Sequence, residues 1–154
     1  HPVMILIPGN QVTYREADKD FNRLNHFKVE EAGEKVAILA LGDFYQRGEQ
    51  LSAKIKAELG FTPTLINPRF ASGIDKELLE SLSERHQMVI TMEDGILSGG
   101  FGEKIASFYG SSDMKVKNYG LDKKFYDRYD PNELLKEVGM TPVQIIADIC
   151  NQIK

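Results

Sequence analysis

The sequence predicts an α/β protein, a three-layer sandwich built on a mainly parallel sheet of about five strands, one of them an antiparallel edge strand. Three observations carry that expectation. Short apolar runs of strand length, such as Val36–Leu41 and Met88–Met92, alternate with segments whose apolar residues recur every three or four positions. Val36–Leu41 is apolar without interruption, as suits a strand covered on both faces. Glycine, proline and capping residues punctuate the joints, and this strand–helix alternation is the signature of βαβ units.

The elements follow in order. Val3–Ile7 reads as a buried strand ended by Pro8-Gly9, and Asn10 to Asn25 as a polar linker without period. His26–Glu30 reads as the edge strand, turned by Glu31-Ala32-Gly33-Glu34 into Val36–Leu41. After Gly42-Asp43 a helix runs to Leu59, with Leu51, Ile55 and Leu59 as its buried stripe and Gly60 at the C′ position. Thr64–Ile66 is a short strand. Asp75 is placed to cap a helix from Lys76 to Arg85 that turns Leu78, Leu79 and Leu82 inward.

Met88–Met92 forms the next strand, followed by Glu93, Asp94 and a loop containing Gly95, Gly99, Gly100 and Gly102. Phe101, Ile105 and Phe108 then fall on one helical face, and Met114–Tyr119 gives a further strand. Asp130-Pro131-Asn132-Glu133 combines an N-cap acid, a proline at N1 and a glutamate at N3. Thr141-Pro142-Val143-Gln144 repeats that logic for a last helix carrying Ile145, Ile146, Ile149 and Ile153.

Composition limits the function classes. The chain has 154 residues, 42% apolar and 27% charged, which suits one soluble globular domain. A net charge of −4 offers no footprint for nucleic acid. No apolar run reaches the roughly 20 residues of a membrane span, so neither nucleic acid nor membrane is an expected partner. The single cysteine, Cys150, fits a reducing, cytoplasmic setting and is expected to be a buried thiol on the apolar face of the last helix. The first residue is His1 rather than Met, which points to a piece of a longer polypeptide.

The glycine loop is the first candidate site. Its order, G-x-x-x-G-G-x-G after two acids, departs from the G-x-G-x-x-G of dinucleotide sites. The amides at the start of the helix after it have the character of an anion site, but Gly99, Gly100 and Gly102 are better accounted for by positive φ and close helix–sheet packing. Glu93 and Asp94, adjacent on a strand, point in different directions and do not make an acid/base couple. Arg69, between Pro68 and Phe70 at the same edge, suits a phosphate or carboxylate, or a pairing with Glu93 or Asp94, the latter favoured. His1, His26 and His86 lack metal-ligand spacing. No catalytic, cofactor-binding or metal-binding set is complete within the chain.

Thr91 to Ile105, T-M-E-D-G-I-L-S-G-G-F-G-E-K-I, resembles the strand–loop–helix of the last domain of transketolase-type, thiamine-diphosphate-dependent enzymes, with their V-E-[DE]-x-x-x-x-G-G-x-G pattern. Asn67-Pro68-Arg69-Phe70 with Gly73-Ile74-Asp75 is similar to the N-x-R-F-x-x-P-[LI]-D segment of the 1-deoxy-D-xylulose-5-phosphate synthase family. Asn118-Tyr119-Gly120-Leu121-Asp122 with Phe125 resembles that family's N-x-G-L-P-D-x-F, and Glu133-Leu134-Leu135 and Gly139-Met140-Thr141 its closing helices. The resemblance is colinear over essentially the whole chain.

It implies the C-terminal domain of an enzyme that condenses pyruvate with D-glyceraldehyde 3-phosphate, releasing carbon dioxide, at the start of isoprenoid and thiamine-precursor biosynthesis. Residues 1–25 would be the end of the middle domain and a linker, and residues 26–154 a transketolase-type C-terminal domain. Thiamine diphosphate and Mg²⁺ would bind the other domains, with none expected in this fragment, which would be inactive alone and would serve structure and homodimerisation. Arg69, Glu93, Asp94, Gly99, Gly100 and Gly102 would line the substrate approach or the interface. One departure stands out. The family's [IV]-R-[YF]-P-R-G, whose second arginine holds the substrate phosphate, is here Ile5-Leu6-Ile7-Pro8-Gly9. Another transketolase-type enzyme with a different acceptor, or a non-catalytic regulatory domain, is the alternative.

Overall fold

The computed structural model describes residues 2–4, 23 and 25–153. Five strands, β1 (Lys28–Glu31), β2 (Lys35–Ala40), β3 (Thr64–Asn67), β4 (His86–Ile96) and β5 (Lys115–Leu121), form one sheet in the order β1-β3-β2-β4-β5. β2, β3, β4 and β5 are parallel where they pair, and β1 is antiparallel to β3. The helices are α1 (Tyr45–Leu59), α2 (Lys76–Leu82), α3 (Phe101–Tyr109), α4 (Pro131–Glu137) and α5 (Pro142–Gln152), with a 3₁₀ turn at Gly42–Phe44 leading into α1. The α/β fold class and the antiparallel edge strand are as expected.

Side chains alternate across each central strand and so supply two cores. Val36, Ile38 and Ala40 of β2, with Met88, Ile90 and Met92 of β4, face α1 and α5 through Leu51, Ile55, Ile145 and Ile149. Ala37, Leu39 and Val89 face the other way, against α2 and α3 through Leu79, Leu82, Phe101 and Ile105. The sheet is thus the middle of three layers. Fully burying each of the Val, Leu, Ile, Met and Phe side chains among these contributes about 1.5–3 kcal/mol, which is why the continuous apolar runs become central strands.

Helix ends obey the local chemistry. Asp75 accepts from the Leu78 amide at 3.2 Å, Asp130 from Asn132 and Glu133 at 2.9 and 3.0 Å, and Thr141 with Gln144 forms a capping box. Gly60 and Gly139 end α1 and α4 with φ of +75° and +72°, the left-handed conformation glycine adopts without strain.

Several expectations need correction. β1 covers Lys28–Glu31 rather than His26–Glu30 and pairs with β3, the parallel β2 being flanked on both sides by β3 and β4. β4 does not end at Met92. It runs on to Ile96, since β5 also continues and Ile96 pairs with Leu121. Helix α2 ends at Leu82 rather than Arg85. Cys150 is exposed rather than buried, because it stands one position past Ile149 and turns about 100° away from it around the helix. Of the strand expected at Val3–Ile7, Val3 and Met4 lie in no regular element. Residues 5–7 lie outside the described residues, as do Leu6 and Gly9 and nearly all of the expected linker.

Candidate functional site

The connection after β2 leads through α1 to β3 on one side, and that after β4 leads through α3 to β5 on the other. The chain therefore reverses its direction of travel between β2 and β4, and a crevice at the carboxyl ends of these strands is where open α/β sheets place their ligands. Two loops meet there. One is Gly42–Phe44, held to β4 by the Leu41 amide, which donates to the Met92 carbonyl at 2.9 Å. The other is the stretch from Glu93 to Gly100.

Glu93 organises the second loop. Its side chain lies on the α3 face of β4, buried to 6% exposure. Both carboxylate oxygens are used: the Phe101 amide donates to Oε2 and the Gly102 amide to Oε1, each at 2.8 Å. These are the orphan N–H groups of the first turn of α3, so the carboxylate closes the helix from eight residues upstream and meets the positive end of its dipole. Asp94, the next residue, is exposed. The opposite orientation of the two acids is as expected. The amide pair read as a possible anion site is filled by Glu93 itself.

The glycines make this approach possible. A Cβ at Gly100 would stand 2.7 Å from both Glu93 oxygens and 2.6 Å from the Ile96 carbonyl oxygen. A Cβ at Gly102 would stand 2.4 Å from Thr91 Oγ1 and 2.7 Å from the Asn118 side chain. Beneath Gly102, Thr91 donates to Asn118 at 2.8 Å, joining β4 to β5. Gly99 has a φ of +78° and open space around it, so its backbone, not crowding, calls for glycine.

Arg69 lies at the same edge but on the far side of β2. Its φ is +62°. Its Nε and Nη2 donate to the His26 carbonyl at 3.1 and 2.8 Å, and its amide bonds Asn67 Oδ1 at 3.0 Å. The pairing expected with Glu93 or Asp94 is not made. β3 and β4 are two strands apart, about 10 Å, and Glu93 is already saturated by amides. What Arg69 secures is the entry to β1. Asp75 works beside it, accepting from the Phe27 amide at 2.9 Å while its Oδ2 lies 3.4 Å from His26 Nδ1. Lys104 of α3 donates to the Ala71 carbonyl at 2.8 Å and ties this loop to the glycine loop's helix.

The edge thus brings together Glu93, Gly99, Gly100 and Gly102, and leaves Arg69 apart and Asp94 facing solvent. The Gly42–Phe44 turn is a part of this edge that the sequence offered only as a strand ending. Glu93 occupies the two helix amides, and among the described residues no group of three His, Cys, Asp or Glu side chains could hold a metal ion. The described residues include no helix long and apolar enough to cross a membrane.

The family model described as transketolase, C-terminal domain, matches residues 25–145. This chain belongs to the transketolase C-terminal domain family. Curated relatives of the domain include the 1-deoxy-D-xylulose-5-phosphate synthase of Shouchella clausii (strain KSM-K16), 32% identical over 156 residues, covering 99% of this chain and 25% of that protein. The enzyme of the same name from Clostridium perfringens (strain 13 / Type A) is 38% identical over 115 residues, 73% of this chain and 18% of its own length. The transketolase-type chain therefore spans a quarter or less of these relatives. Among solved structures it resembles a split-gene transketolase, an inactive β4 tetramer, with a TM-score of 0.73 and 23% identity, over 84% of this chain and 43% of that one. That likeness speaks for the transketolase C-terminal fold.

Proposed function

We propose that this chain is the C-terminal domain of a 1-deoxy-D-xylulose-5-phosphate synthase. The whole enzyme would join pyruvate to D-glyceraldehyde 3-phosphate with loss of carbon dioxide, feeding isoprenoid and thiamine-precursor synthesis in the cytoplasm. The observation that carries the reading is the family match together with relatives of that name over nearly all of this chain. Residues 26–154 form the domain, and residues 1–25 belong to the end of a middle domain and its linker. Thiamine diphosphate and Mg²⁺, held by the other domains of the whole enzyme, would supply the carbanion chemistry when bound.

This domain's own contribution is positional. Glu93 and its glycines hold a rigid loop at the strand ends, and the loop serves as a docking edge for the other domains and for a second copy in a homodimer. The test uses the full-length polypeptide with thiamine diphosphate, Mg²⁺, pyruvate and glyceraldehyde 3-phosphate. Formation of deoxyxylulose 5-phosphate is expected, and its absence would overturn the reading. The 154-residue chain by itself is expected to bind no thiamine diphosphate in calorimetry; tight binding would contradict the assignment of domains.

A second reading has a specific observation in its favour. Leu6 and Gly9 stand where the family resemblance leads one to expect two arginines, and loss of a charged hydrogen-bond partner for a phosphate weakens its binding by about 1.5–3 kcal/mol. A transketolase-type enzyme with an uncharged acceptor would tolerate that loss. Assays with phosphorylated and unphosphorylated aldehydes separate the two readings by which acceptor gives the higher kcat/KM.

A further inference from the structure

At the amino end of the sheet, opposite the candidate site, four elements converge on one imidazole. His86 Nδ1 lies 2.9 Å from the Leu82 carbonyl at the end of α2. Nε2 lies 2.7 Å from the Thr64 hydroxyl at the start of β3. That hydroxyl accepts from the Gly33 amide, at 2.8 Å, in the turn between β1 and β2.

The chemistry of the partners assigns every hydrogen. A carbonyl can only accept, so Nδ1 carries the proton, and a neutral ring then leaves Nε2 as the acceptor. The Thr64 O–H points at Nε2, and a lone pair remains for Gly33. Thr64 is 4% exposed, so its hydroxyl depends on these two partners. Protonation turns Nε2 into a donor. The hydroxyl then faces two N–H groups and must swing its own hydrogen away from the acceptor it has.

The charged groups around the ring are Arg85 beside it, Lys35 opposite it on β2, and Glu34 in the facing turn. From α2 the ring receives a carbonyl. Burial holds the His86 pKa below its ordinary value and Arg85 adds to that, against the opposing pull of the Leu82 carbonyl and Glu34. The turn it holds is tight, since a Cβ at Gly33 would lie 2.1 Å from the Thr62 carbonyl oxygen. Among the described residues β1 pairs with β3 alone, over four residues with a register shift between Val29 and Glu31, while Arg69 and Asp75 hold its other end.

We propose that His86 is an acid-released latch, which clamps the β1–β2 turn onto β3, β4 and α2 while its ring is neutral and releases the Gly33 amide on protonation. The opened form takes up the proton at the ordinary histidine pKa of about 6.5, and the latched form only at lower pH. Closure is therefore fully favoured above the ordinary value. It weakens as pH falls between the two pKa values and levels off below the lower one. One proton limits the slope to about tenfold per pH unit.

The test is amide hydrogen exchange on the 154-residue chain between about pH 8 and pH 5, the range in which histidine changes charge. Rates are normalised for intrinsic exchange, and the Ile90 amide in the centre of β4 reports global opening. The protection of Gly33 is expected to fall several-fold relative to Ile90 as pH drops, and to become independent of pH in His86→Gln. Should that variant not fold, Thr64→Val serves, with Gly33 poorly protected at every pH. A constant Gly33-to-Ile90 ratio in the native chain would overturn the latch, as would an unchanged pH response in either folded variant. Nitrogen NMR of the ring adds an independent check: the proton is expected on Nδ1 at pH 8, and finding it on Nε2 would refute the assignment.

Discussion

A single carboxylate decides the shape of the glycine loop. In Glu93→Gln the side chain keeps its length but replaces one acceptor oxygen with an N–H donor, which must face the amide of Phe101 or Gly102. One buried amide loses its partner, and a loss of about 1–3 kcal/mol is expected, read from the urea midpoint at unchanged slope. The glycines give a sharper contrast. Gly102→Ala would push a methyl group to 2.4 Å from Thr91 Oγ1, within a buried hydrogen bond between two strands, and is expected to cost about 1–3 kcal/mol. Gly110→Ala meets nothing closer than 3.4 Å and has a φ of −53°, so it should be neutral or stabilising by up to about 1 kcal/mol. If the two variants melted alike, crowding would not be the reason for glycine at position 102. Neither Glu93's partners nor Arg69's could be read from the sequence. The bonds from Glu93 span the loop to residues 101 and 102, and Arg69 misses Glu93 because β2 lies between their strands. Spacing along a chain carries no information on which strands become neighbours.

At the level of the elements, patterning and caps were legible because they are local. The continuous apolar run of β2, the N-cap of Asp75 and the paired signals at Asp130 and Thr141 depend on residues within a few positions of one another. The partner of β1 was not legible, because it is chosen by strands that arrive from 30 or more residues later. Asp75 joins both kinds of information, capping α2 through the Leu78 amide and holding the Phe27 amide 48 residues away. Removing both acceptors in Asp75→Ala is therefore expected to cost more than a cap alone, about 2–4 kcal/mol against about 1 for Thr141→Ala. Equal shifts in the thermal midpoints of these two variants would show that the Phe27 contact contributes nothing. The last helix makes a smaller point. Tyr119 of β5 donates to Asp148 of α5 at 2.8 Å, and burial, followed by that carboxylate, raises the phenol's pKa far above its ordinary value. The phenol therefore stays protonated, and able to donate, throughout the pH range in which the fold is studied.

For the molecule as a whole, the two cores share the same central strands, so damage on either face of the sheet is felt on both. Its exposed thiol is a simple probe of that cooperativity. Cys150 is expected to react with a thiol reagent at the rate of a free cysteine while the chain is still folded; reaction only on unfolding would restore the buried thiol read from the helical pattern. The margins of the sheet differ in kind. β1 runs against its neighbour and closes one side with four residues, while β5 ends the other side with seven. A strand of that length with no partner on its outer side among the described residues is a template for stacking onto other chains. Here it carries Lys115 and Lys117, both tethered to α5, through the Gln152 carbonyl and Asp148. Two such margins meeting would bring lysines of both copies together, which disfavours the growth of a continuous ribbon through this strand. Replacing both lysines with valine should leave the unfolding midpoint nearly unchanged while light scattering rises with concentration, a cost borne by solubility rather than by stability.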